Sequence, residues 1–249
     1  MIDLHSHILP GVDDGPATLA ESLEIARRAA AEGVRLIAAT PHVRDDYPTQ
    51  AATMERLVAE LRAAIRREDI PLDVRPGGEI AIDWLGRLSE DELTRFGLGG
   101  SPRYVLLEFP YAGWPLSLHE WVFRLVTREI TPVIAHPERN ADVQEDPDEL
   151  RPLVDAGALV QITAASLDGR IGRSARTAAV DLIDRGLAHL LASDAHTPDV
   201  REAGLLGAVE AVGDPELARW LTLDMPMAIV TDGPLPRRPS PRKRGFLRR

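Results

Sequence analysis

Apolar positions along this chain alternate between two rhythms. Short runs at 2–5, 34–39, 72–75, 104–108, 131–135, 158–162 and 187–192 are apolar enough, and bounded sharply enough, to predict strands. Between them lie longer segments in which apolar residues recur every three or four positions. Leu19, Leu23, Ala26 and Ala30 fall on one helical face. That segment opens on Thr18-Leu19-Ala20-Glu21, the Ser/Thr-x-x-Glu form of a capping box, and Gly33 ends it. Further helices are predicted over 51–67, 117–128, 147–155 and 173–185, with two short ones at 202–211 and 215–221.

Seven strands, most followed by a helix, predict an α/β fold with parallel strands closed into a barrel-like ring. A doubly wound sheet is the alternative. No linker interrupts 1–235, so one catalytic domain is expected there. From 236 to 249 the composition changes. Pro236, Pro239 and Pro241 alternate with Arg237, Arg238, Arg242, Lys243, Arg244, Arg248 and Arg249, which predicts a disordered, solvated basic tail, with contact to an anionic surface as the alternative.

Charge sharpens this division. The chain carries −10 and the tail contributes +7, so the rest stands at −17. An acidic body argues against nucleic-acid binding, which needs a basic face. No stretch approaches the roughly 20 apolar residues of a membrane span. The opening Met1-Ile2-Asp3-Leu4-His5 has neither the basic region nor the apolar core of a secretory signal, so a cytoplasmic protein is expected. There is no cysteine. Disulfides, thiolate-ligated zinc and a cysteine nucleophile are therefore excluded, and water activated by metal becomes the leading hydrolytic option.

The candidate chemistry sits at the carboxyl ends of the predicted strands. His5 and His7 close the first strand, and His42 follows the second in Thr40-Pro41-His42. Glu79 follows the third in Gly77-Gly78-Glu79, and Glu108 ends the fourth. His136 follows the fifth in Ala135-His136-Pro137-Glu138-Arg139, and Asp194 and His196 follow the seventh in Ser193-Asp194-Ala195-His196. In parallel α/β barrels these ends converge on one face. A lone His-x-His is chance-prone, but five of the seven histidines lie at strand ends. So many imidazoles and carboxylates in one cleft would be costly without divalent cations between them. With Asp14 added, nine candidate ligands of nitrogen and oxygen type are too many for one tetrahedral ion. They suit two or three ions of manganese, iron or zinc.

Other residues are declined. His119, on a predicted helix, and His189, inside a strand, match no ligand position. Gly97-Leu98-Gly99-Gly100 lacks the Lys and Ser/Thr of a phosphate-binding loop. Asp13 is a candidate general acid, though a loop cap is the better reading. Tyr111 and Trp114 either wall a pocket for an aromatic substrate or pack structurally.

Taken together, His5-Ser6-His7, Asp13-Asp14-Gly15, Thr40-Pro41-His42, Gly78-Glu79, Glu108-Phe109, the His136–Arg139 run and Ser193-Asp194-Ala195-His196 resemble the polymerase and histidinol phosphatase (PHP) superfamily. Within it they are most similar to the bacterial metal-dependent tyrosine-protein phosphatases of capsule and exopolysaccharide loci. The blocks span residues 1–201. The resemblance implies a distorted (βα)7 TIM-like barrel and a trinuclear site, often loaded with manganese. It implies that His5, His7, Glu79 and Asp194 hold one ion, that Glu79 bridges to a second completed by Glu108 and His136, and that Asp14, His42 and His196 hold the third. It also implies phosphate-binding arginines at Arg139 and Arg201. The implied substrate is phosphotyrosine on a bacterial tyrosine kinase that controls polysaccharide export. A PHP-type phosphatase for small molecules such as histidinol phosphate, a PHP nuclease and a barrel without catalysis are the rival expectations.

Overall fold

The computed structural model describes residues 1–197 and 204–240. Nine strands are present among them: β1 (Ile2–Asp3), β2 (Leu36–Ala39), β3 (His42–Val43), β4 (Asp73–Pro76), β5 (Glu79–Ala81), β6 (Tyr104–Glu108), β7 (Thr131–Ala135), β8 (Leu159–Thr163) and β9 (Leu190–Ala192). All pairings between them are parallel, in one sheet of order β1-β2-β4 and another of order β3-β5-β6-β7-β8-β9.

The expected count of seven strands is corrected to nine because the second and third predicted strands each continue past a break. Pro41 interrupts the first of these, having no N–H to donate to a ladder. The second breaks at Gly77-Gly78, where the backbone passes the Phe96 ring so closely that a Cβ on Gly78 would lie 2.6 Å from Phe96 Cδ1. Each break carries its chain from the three-stranded sheet into the six-stranded one, with β2 and β4 paired before it and β3 and β5 after it.

Hydrogen bonds also tie the two ends of the strand series together. Asp194 N donates to the His5 carbonyl at 2.9 Å, His7 N to the Ala195 carbonyl at 2.8 Å, and Thr40 N to the Ser6 carbonyl at 2.8 Å. The chain after β1 therefore lies between the chain after β9 and the chain after β2. β6 and β8 are buried along their whole length, as parallel strands covered on both faces are.

The helices cover these strands: α1 (Leu19–Ala31), α2 (Ala51–Arg67), α3 (Glu90–Arg95), α4 (Leu118–Thr127), α5 (Ala141–Glu145), α6 (Arg151–Asp155), α7 (Ala164–Leu167), α8 (Arg173–Asp184), α9 (Leu206–Val212), α10 (Pro215–Arg219) and α11 (Met225–Val230). The capping box at Thr18 forms in both directions, with Glu21 N on the Thr18 hydroxyl at 3.3 Å and Thr18 N on the Glu21 carboxylate at 3.0 Å. The buried face of α1 runs through Leu23, Ile25, Ala26, Ala29 and Ala30, while Leu19 stays 37% exposed, outside the face expected for it. The helix expected over 147–155 divides into a 3-10 turn at Pro147–Leu150 and α6, because Pro152 cannot donate back into the preceding turn. α3 was not expected, although Ser89 and Glu92 form a second complete capping box. Of the helix expected at 202–211, the described part begins at Leu206.

The expected tail is attached at its start. Trp220 Nε1 donates to the Pro236 carbonyl at 3.1 Å, and the Arg238 guanidinium donates to the carbonyls of Ala188 (2.9 Å) and Ile183 (2.7 Å). Residues 241–249 lie outside the described residues. No helix among the described residues is long and apolar enough to cross a membrane.

Candidate metal centre

Most of the strands deliver one or two polar groups at or just past their ends to a common point. His5 and His7 follow β1 on opposite sides of Ser6, whose hydroxyl donates to the Ala38 carbonyl at 2.7 Å and fixes the segment against β2. His42 opens β3, Glu79 opens β5 and Glu108 closes β6. His136 (φ 36°) and Asp194 (φ 53°) both stand in the left-handed region immediately after β7 and β9. Non-glycine residues are strained there, and the cost is tolerated where the turn must aim a functional side chain.

The result is a buried, interlocked cluster. His5 Nε2 lies 3.3 Å from His7 Nε2, 3.4 Å from Glu79 Oε1 and 3.5 Å from Asp194 Oδ1. Glu79 stands at the middle, 2.8 Å from His136 Nε2, 3.2 Å from His7 Nε2 and 2.9 Å from His42 Nδ1. Asp14 Oδ1 lies 3.4 Å from His42 Nε2 and 3.2 Å from His196 Nε2. The ligand-type atoms of His7, Asp14, His42 and His196 all lie within 4.8 Å of one another. The same holds for His5, Glu79 and His136, for His5, His7 and Asp194, and for His42, Glu79 and Glu108. All nine expected ligands are thus brought together. Eight are buried, and Asp14 alone is exposed. Glu108 groups with His42 and Glu79 rather than with His136, unlike the grouping the resemblance implies.

Burial and charge oppose one another across the cluster. Burial alone would keep His5, His7 and His42 neutral, yet neighbouring carboxylates reverse this for all three. The nearby carboxylates of Asp14 and Glu79 raise His42 to about 9. Burial would likewise raise Glu79, but the charge of His5, the hydrogen bond with His136 and the close approach of His42 hold it well below the usual carboxylate range. Glu108 is pushed up to about 7 by burial and by the nearby Glu79 charge, and burial lowers His136 to about 4. The carboxylates therefore draw positive charge into a dry pocket. Glu79 Oε2 and His42 Nδ1, although 2.9 Å apart, are buried with no aligned hydrogen bond. Nitrogen and oxygen donors that converge without donating to one another are what divalent cations require.

A second ring of contacts aims the imidazoles. Gln161, in β8, places Oε1 2.8 Å from His5 Nδ1. Asp13 places Oδ2 2.7 Å from His7 Nδ1, and also accepts from the backbone N–H of Gly15 and of His42, each at 3.0 Å. Asp13 is thus a loop cap and a support for His7 at once. Gln161 was missed by the sequence reading, although a lone amide inside the apolar run of β8 was the available signal. Glu138 was also missed. It is fully buried, accepts from Thr163 N at 3.0 Å and the Ser166 hydroxyl at 2.6 Å, and fixes the start of α7.

Two arginines flank the cluster. Arg139 Nη1 donates to Asp194 Oδ2 at 2.7 Å and its guanidinium lies 4.6 Å from the Tyr111 ring centre. Arg44, which the sequence did not single out, donates to Glu108 Oε2 at 3.1 Å. Arg201 lies outside the described residues. Tyr111 and Trp114 both line a cavity of about 620 Å³ that also touches Glu108 and Arg44. Of the declined residues, His189 accepts from Val160 N through Nδ1 at 3.1 Å, and the ring of His119 lies 6.3 Å from that of Trp114. The Gly97–Gly100 segment turns with Gly99 at φ 66°. Neither histidine belongs to the cluster.

Comparison with known proteins agrees with this geometry. The chain is 40% identical over 203 residues to the tyrosine-protein phosphatase YwqE of Bacillus subtilis, covering 81% of this chain and 79% of YwqE. It is 29% identical over 243 residues to the tyrosine-protein phosphatase CpsB of Streptococcus pneumoniae, covering 93% and 99%. A crystal structure from the pair YwqE and CpsB, described as unique metal-dependent tyrosine phosphatases, superposes with a TM-score of 0.88 at 34% identity, covering 97% of this chain and 100% of that one. A lactonase from Listeria monocytogenes, 15% identical with a TM-score of 0.52, shares the fold alone. The model of the family "Capsular polysaccharide synthesis, CpsB/CapC" matches residues 1–229, and the chain belongs to that family.

Proposed function

We propose that this chain is a metal-dependent protein-tyrosine phosphatase that hydrolyses phosphotyrosine on a bacterial tyrosine kinase governing capsule or exopolysaccharide synthesis. The observation that carries the reading is the convergence of nine nitrogen and oxygen donors at the strand ends in a chain similar to named tyrosine-protein phosphatases. The ring of parallel contacts closed by His5, His7, Asp194 and Ala195 supports a distorted (βα)7 barrel as the scaffold. We read residues 1–235 as its catalytic body and the cytoplasm as its place of action.

His5, His7 and Asp194, with Glu79 within 3.4 Å of both imidazoles, would hold one ion. Asp14, His42 and His196, grouped with His7, would hold another, and the resemblance assigns Glu79, Glu108 and His136 to a third, although Glu108 lies here with His42 and Glu79. Manganese suits this donor set, with iron or zinc as alternatives. Such ions polarise a water toward attack and neutralise phosphoryl oxygens. The protein's own groups do the rest. The Arg139 fork orients the phosphoryl dianion at the edge of the cluster, with Arg201 as its second partner. Tyr111 and Trp114 seat the substrate ring.

The decisive assay offers the purified chain a phosphotyrosine peptide and histidinol phosphate, with manganese and with a chelator. Manganese-dependent release of phosphate from the peptide, abolished by chelation, is expected. Much faster turnover of histidinol phosphate would replace this reading with a small-molecule phosphatase.

A further inference from the structure

The cavity beside the cluster is larger than the proposed reaction needs. Its volume of about 620 Å³ lies in the range that buries a whole small ligand, so a tyrosyl ring fills only part of it. One end touches buried Glu108 and half-buried Arg44. The walls are apolar, with Ile82 and Phe109 buried and Trp114 packed edge-on against Phe109 at 5.7 Å. The rim is acidic and exposed, formed by Asp45, Asp46 and Asp83.

These three carboxylates are not equivalent. Asp45 is bound to Arg87 at 2.5 Å, and Asp46 to Arg44 at 2.8 Å. Asp83 has no ion-pair partner among the described residues, although it stands where the cavity meets solvent. It lies two residues after β5, so the sheet that carries Glu79 also sets its position. An apolar chamber continuous with a reactive centre, with one uncompensated carboxylate at its mouth, suits a side chain with an apolar stem and a cationic head.

We propose that the part of this cavity left beyond the tyrosyl ring is the subsite for the residue beside the phosphotyrosine, and that Asp83 selects a lysine or arginine there. The proposal rests on the phosphotyrosine reading given above. It makes the substrate a phosphotyrosine peptide with a basic flank, which an acidic body with an uncovered rim carboxylate favours over an acidic one.

The test uses the manganese-loaded full chain and three probes: para-nitrophenyl phosphate, a phosphotyrosine peptide flanked by lysine, and the same peptide flanked by glutamate. Exposed ion pairs are worth up to about 1 kcal/mol, so the lysine peptide should exceed the glutamate peptide about two- to fivefold in kcat/KM. The difference should lie in KM and shrink in half-molar salt. D83N should erase the preference and D83K should invert it, with para-nitrophenyl phosphate turnover unchanged in both. Equal turnover of the two peptides, or a preference that survives D83K, overturns the proposal. Failure of all three probes instead removes the phosphatase reading itself.

Discussion

His5 and Gln161 stand 156 positions apart in sequence, yet Nδ1 of one lies 2.8 Å from Oε1 of the other. An amide oxygen only accepts, so this contact keeps a proton on Nδ1 and leaves Nε2, which faces Glu79 and Asp194, as the ring atom a cation would take. The amide is held in that sense by its own Nε2, which points to the Thr163 hydroxyl at 3.5 Å. Replacing Gln161 with leucine should lower metal affinity about 10- to 100-fold while the fold survives. Metal titration with circular dichroism checks this, and unchanged affinity would show that His5 needs no such support.

Asp13 is expected to support the site without donating a proton to the leaving group, because both of its oxygens are occupied by Gly15, His42 and His7. Asp13→Asn keeps the shape but cannot accept equally well at both atoms. We expect weaker metal binding by about tenfold or more, recovered in activity at saturating metal. A general acid would behave otherwise: kcat would stay low at any metal concentration, and the alkaline limb of its pH profile would vanish.

Arg139 should matter to turnover and not to loading. Its side chain is 16% exposed, paired with Asp194 and lying over the Tyr111 ring, so it is poised at the cluster edge with little freedom. Arg139→Ala should reduce kcat/KM by about 100-fold or more and weaken inhibition by inorganic phosphate. Arg139→Lys should recover little, since an ammonium lacks the planar fork. Metal content measured alongside should remain at the wild-type value.

His189 predicts a pH effect on stability that is separate from the site. Burial, and then the Arg238 guanidinium, lower it to about 4. Protonation would also break the bond that its Nδ1 accepts from Val160 N. Because the folded value lies below the unfolded one of about 6.5, the unfolded chain binds the extra proton first. The contribution is therefore intact above pH 6.5 and is lost as pH falls from there toward 4, by up to about 3 kcal/mol. Urea unfolding of metal-free wild type and His189→Asn should diverge across that window. Parallel pH dependence in the two would refute the assignment.

Much of this was legible in the sequence because short-range chemistry announces itself. The Thr18 capping box, the apolar runs and the polar residues just past each run are local signals, and eight of the nine candidate donors were legible from them, Asp14 lying instead in the loop before α1. The same logic missed α3, whose Ser89–Glu92 box is as complete as that of Thr18, because six residues give too little periodicity to notice. Gln161 and Arg44 escaped for a different reason. Each acts on a residue distant in sequence, so nothing near it in the chain reveals its partner. Composition misled at Arg238, where a proline- and arginine-rich stretch reads as solvated. Carbonyls near the end of α8 nevertheless offer its guanidinium two acceptors.

The seam between Ser6 and Ala195 has a consequence for biosynthesis. The first and last contributors to the centre are neighbours in space, and their pairing closes across nearly the whole chain. A ribosome must therefore release almost everything through residue 196 before His5 and His7 can meet Asp194 and His196. Contacts of such long range form late in folding. Metal capture should thus be the closing event of maturation, and nascent chains arrested before residue 190 should retain far less bound metal than those extended past 235.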